Sequence, residues 1–146
     1  SSPTIIPRGL YLKTGFPVSK RAISRIGGPV AVHFASGRCI PVIDDVVKTG
    51  AGAICAGCEE DLRELKRAAA GKIALVGNLN GVGMRSWTPG RAEEEVKKAI
   101  LAGGRGGGFL LSDSHGEIPW QVPDDVLLAM SEAVRKWGRY PLGEGD

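Results

Sequence analysis

One unit recurs along this chain: a short apolar run, a stretch with helical spacing of apolar residues, then glycine. Val30 to Phe34 is the first such run. Val42, Ile43, Val46 and Val47 then mark the inner face of a helix over Ile40–Lys48, ended by Gly50. Ala51 to Cys55 is the next run, followed by a helix through Leu62, Leu65, Ala68 and Ala69 that stops at Gly71. Ile73 to Val76 is the third run. Its helix has the clearest start, with Thr88 as N-cap and Pro89 in the first helical position. Ala92, Val96, Ala99 and Ile100 give that helix its buried face. Phe109 to Leu111 is the fourth run, and a last helix spans Pro123 to Trp137 with Leu127, Met130, Val134 and Trp137 inward and Gly138 as its stop. Ahead of the repeats, Ser1 to Gly15 reads as an irregular lead-in because Pro3 and Pro7 oppose helix. A helix over Pro17 to Ile26 follows, with Val18, Ala22, Ile23 and Ile26 on one side.

Apolar runs this short, bounded by turns, suit strands buried on both faces, and their alternation with helices predicts a parallel sheet with right-handed crossovers. A single α/β domain over residues 1–146 is expected. Periodicity leaves two architectures open, a doubly wound sheet and part of a (β/α)₈ barrel. Four units make half a barrel, since a full one takes roughly 250 residues. The glycine tract from Gly103 to Gly108 precedes a strand, whereas a phosphate cradle at a helix N-terminus needs glycines before a helix. It is read as a turn.

Composition narrows the function classes. A net charge of +3, with bases and acids interspersed, gives no reason to expect nucleic acid or an anionic membrane as main partner. The apolar runs are too short for a membrane span, and no signal-peptide core opens the chain. A cytoplasmic protein is expected, so Cys39, Cys55 and Cys58 are read as thiols or metal ligands.

In either architecture the ligand lies beyond the carboxyl ends of the strands. His33 ends the first strand, with Arg38 close behind. Cys55 and Cys58 end the second; Cys55 is expected to pack in the strand and Cys58 to point at a site, while Cys39 is expected to be a small buried hydrophobe. Asn78 and Asn80 end the third, in a segment that is either a turn or a source of amide donors for a carboxylate. Arg85 and Trp87 follow, suited to an acidic planar ligand or to a place on the rim. Asp113 and His115 end the fourth strand, so both histidines fall in this set. His115 could serve as general acid, anion binder or zinc ligand, with Asp113 orienting it. Zinc held by His33, Cys58 and His115 is one expectation.

Taken in order, these motifs resemble the superfamily of uroporphyrinogen decarboxylase and the methylcobamide-dependent methyltransferases. Ser1-Ser2-Pro3 through Phe16-Pro17 and Lys20 is similar to the stretch before the fifth barrel strand, and Val30–His33 to that strand. Gly77-Asn78-Leu79-Asn80 is similar to a family Gly-Asn-Leu-Asp segment, and His115-Gly116-Glu117-Ile118 followed by Pro123 to the loop after the last strand. The resemblance implies a (β/α)₈ fold, of which this chain supplies the C-terminal half. The first half would then be absent, or come from another chain or a second copy. It implies a methyltransferase working with a corrinoid protein, with His33, His115 and Asp113 catalytic. The alternatives are a tetrapyrrole decarboxylase, with Asn78, Asn80, Arg38 and Arg85 binding substrate, or a non-catalytic half-barrel subunit. His33-Phe34-Ala35 departs from the methyltransferases' zinc-binding His-x-Cys, so a zinc thiolate would need Cys58 or His115 as substitute.

Overall fold

The first strand of the sheet is three residues long, and the next three are laid beside it strictly in chain order. A computed structural model of the protein describes residues 5–34, 37–114 and 116–142. The strands are β1 (Ala31–His33), β2 (Ala53–Cys55), β3 (Ala74–Leu79) and β4 (Phe109–Asp113), all parallel, in spatial order β1-β2-β3-β4. A doubly wound sheet reverses its strand order at a switch point, and this one does not. Continuous winding in one direction is how a (β/α) barrel is built, so the chain forms four units of that architecture.

The helices are α1 (Arg8–Lys13), α2 (Gly15–Ile23), α3 (Ile43–Lys48), α4 (Leu62–Ala69), α5 (Pro89–Gly103) and α6 (Asp124–Trp137), with 3₁₀ turns at Ile40–Val42 and Gly83–Ser86. Local chemistry sets several ends. Asp61 caps α4, its Oδ1 accepting the amides of Arg63 (2.7 Å) and Glu64 (3.1 Å). Thr88 caps α5, its hydroxyl accepting the Arg91 amide at 3.2 Å. No helix among the described residues is long and apolar enough to cross a membrane.

Alternate strand residues divide the sheet into two unlike faces. Ile54, Leu75 and Leu79 are buried, and with Val46, Leu65, Val96 and Ile100 they form the core between sheet and helices. The register aligns His33, Cys55, Val76 and Leu110 on the opposite face. There Leu110 is 54% exposed. Gly77 shows how closely the strands run: a Cβ on it would lie 2.8 Å from the Ala56 carbonyl oxygen.

Three expectations need correction. The lead-in is helical over Arg8–Lys13, since a proline preceding a helix forfeits no bond that the helix requires. The following helix runs from Gly15 to Ile23 with no fully buried residue, and Val18 is exposed. In α6 Met130 and Trp137 pack against the core as expected, but the fully buried positions are Val126 and Ala133, and Leu127 and Val134 are exposed. Smaller residues on that stripe suit close packing on α5, and one contact between the two is Trp137 Nε1 donating to Glu93 at 3.1 Å.

Candidate functional site

Four strand ends converge at one rim because the strands are parallel and in register. His33 and Cys55 are register partners on neighbouring strands and stand side by side. Asp113 ends β4, and its Oδ2 accepts the Gly116 amide at 2.8 Å. That bond folds the loop after β4 back over the strand ends: a Cβ on Gly116 would lie 3.4 Å from His33 Cε1 and 3.9 Å from Nδ1. Gly116 has a φ of +82°, a left-handed conformation that glycine adopts freely, so loop geometry and closeness to the imidazole both favour glycine there. The first and last strands thus share one rim. His115, expected at the centre of this loop, lies outside the described residues.

The loop after β3 closes the side of the same rim. A Cβ on Gly81 would sit 3.2 Å from Asp113 Oδ2, and the Ser114 amide donates to the Leu79 carbonyl at 2.8 Å. Asn80 shapes its own turn by accepting the Gly83 amide at 2.9 Å, and Arg85 Nε donates to the Val82 carbonyl at 3.1 Å. Asn78 ties β3 to the loop after β2, its side-chain amide donating to the carbonyls of Gly57 (2.9 Å) and Glu60 (2.8 Å). Arg38 is exposed in the loop after β1, and Trp87 packs partly against the core.

The three cysteines are free thiols in different settings. Cys39 is fully buried, as expected of a small hydrophobe, and burial, with the Glu60 charge next, drives its pKa far up. Cys55 stands on the open face beside His33, not packed in the strand core; burial and then the Asp113 charge raise its pKa. At neutral pH both are thiols. Cys58 lines a groove with Asn78, Asn80 and residues of α4 and α5, and its Sγ is 4.0 Å from a Glu59 carboxylate oxygen. The thiol nearest His33 along the register is therefore Cys55 and not Cys58. Among the described residues no group of three or more His, Cys, Asp or Glu could hold a metal ion. Of the donor set expected for zinc, His33 and Cys58 are among the described residues and His115 is not.

Glu60 has no sequence signal that marks it as special. It is 6% exposed, and its Oε1 accepts the amides of Cys39 (2.7 Å) and Ile40 (3.1 Å), capping the 3₁₀ turn from a distant loop. Its Oε2 has no hydrogen-bond partner among the described residues. Standing in the run Glu59-Glu60-Asp61, it reads as an ordinary acidic lead into a helix. Only tertiary structure separates it from its neighbours.

The family model for uroporphyrinogen decarboxylase (URO-D) matches residues 1–137. Uroporphyrinogen decarboxylase of Salmonella dublin is 30% identical over 110 residues, covering 68% of this chain and 30% of that protein. The enzyme of the same name from Cronobacter sakazakii is 31% identical over 94 residues, covering 64% of this chain and 26% of its own. The chain thus spans less than a third of these relatives' length. Among solved structures, a methyltransferase from Methanosarcina mazei superposes with a TM-score of 0.78 at 17% identity, over 94% of this chain and 40% of that one. That likeness establishes the shared fold. With the family model covering nearly all of its length and its four βα units wound as a barrel is wound, the chain belongs to the uroporphyrinogen decarboxylase family.

Proposed function

We propose that the chain is part of a cytoplasmic methyltransferase that works with a corrinoid carried by a partner protein. The observation that carries this reading is the rim itself. His33, the Cys55 thiol and Asp113 gather at the strand ends, and half-buried Val76 and exposed Leu110 continue the rung of His33 and Cys55 as an apolar floor. Such a floor suits a broad macrocycle, and the polar rim suits a small methyl acceptor. The corrinoid would supply the methyl group and retain the electron pair of the bond that breaks. His33 accepts the proton that the acceptor loses as its new bond to carbon forms. Asp113 holds the Gly116 loop against the imidazole, and the protonated Cys55 adds no competing negative charge.

A second reading, decarboxylation of a tetrapyrrole side chain, is favoured by the name shared by the curated relatives. There a proton would be delivered to carbon as CO₂ leaves, and Arg38 and Arg85 would meet the remaining carboxylates. One paired assay separates the two. Methylcobalamin mixed with the protein and a thiol acceptor should lose its methyl group, followed by absorbance, and His33→Ala should slow this on the order of 10²-fold. CO₂ release from uroporphyrinogen without demethylation would replace the first reading with the second.

A further inference from the structure

The glycine tract that precedes β4 lies at the end of the sheet opposite the rim. Gly106, Gly107 and Gly108 border a cavity of about 530 Å³ with the starts of β2 and β3, and Lys66, Lys72 and Arg105 project their positive charge around it. Among the described residues that line it there is no carboxylate. Three cations in one small cavity stand out in a chain whose net charge is only +3.

Two further observations show how the cavity would receive a ligand. The three glycines have φ values of +75°, +76° and +66°, and a Cβ on Gly106 or Gly107 would meet nothing within 4 Å, so the bare backbone fronts open space. Lys66 donates to the Gly107 carbonyl, which fixes its ammonium at the glycine loop. An ammonium carries three donors, so this anchor does not exhaust it. Lys72 lies 3.6 Å from Asp44 in an exposed pair, a weak link that a stronger anion could displace.

We propose that this cavity binds the phosphate group of a small ligand, through the cations Lys66, Lys72 and Arg105. A compact dianion matches the charge, and glycines without side chains leave it room. The site is independent of the rim and of whichever reaction occurs there.

Calorimetric titration with inorganic phosphate, and separately with AMP, at constant ionic strength tests the proposal. Saturable binding of at least one is expected, equal affinities marking a free anion as sufficient and tighter AMP binding marking a phosphate ester. Lys66→Met/Arg105→Met should abolish it, whereas Arg135→Met on α6, which removes an exposed charge elsewhere, should leave it unchanged. Lys72→Met, which leaves the Lys66–Gly107 contact in place, should weaken binding about tenfold, the effect of one lost charged hydrogen bond. No saturable heat with either probe would overturn the proposal, as would binding that survives the double substitution.

Discussion

Cys39 and Cys55 are both held as thiols, for reasons that a titration can tell apart. Cys39 has no exposed surface and faces Glu60, so ionising it would place a second negative charge in the interior. In the unfolded chain the same thiol ionises near pH ~8.5. A group whose pKa is higher in the native state supports folding fully below the unfolded value, and that support is lost as pH rises toward the native one. Denaturant midpoints should therefore fall above pH ~8.5, and Cys39→Ala should flatten that slope. Alkylation of the native protein should reach Cys55 and Cys58 before Cys39, measured by peptide mass.

At the level of elements, the loop after β2 depends on Glu60, which binds two amides of the turn opening α3 and offers its own carbonyl to Asn78 on β3. Glu60→Ala strands those two amides, and chemical denaturation should show a loss of about 1–3 kcal/mol. Glu60→Gln keeps an acceptor oxygen and should lose less. This junction is invisible in the sequence because its partners lie 18 to 21 residues apart. The α5 cap is visible because Thr88 and Arg91 are neighbours on one helix turn. The same distinction runs through the site. Strand ends can be read from glycines and apolar runs, so His33 and Asp113 are legible there. That Cys55 stands beside His33 depends on register between separate strands. The inward stripe of α6 differs from the expected one because its apolar residues are spread around the helix, and which of them pack is decided by α5.

Across the described residues, the sheet has one face packed by helices and another on which Leu110 is exposed, with β1 and β4 as its outer strands. Exposed apolar rungs and unpaired edges both favour association. Sedimentation across a concentration series should show an average mass that rises above the 15.3 kDa of one chain. Leu110→Lys, placing charge on the outer strand β4 where the apolar rung is most exposed, should hold the protein at that single-chain mass. The parallel arrangement has a second consequence, for engineering. Every connection that enters a strand lies at one end of the sheet and every connection that leaves one lies at the other. The segment between α5 and β4 could be lengthened or exchanged without reaching His33, and the loop carrying Gly116 could be redesigned without touching the glycine tract. A library builder would find two separately adjustable surfaces on one small scaffold.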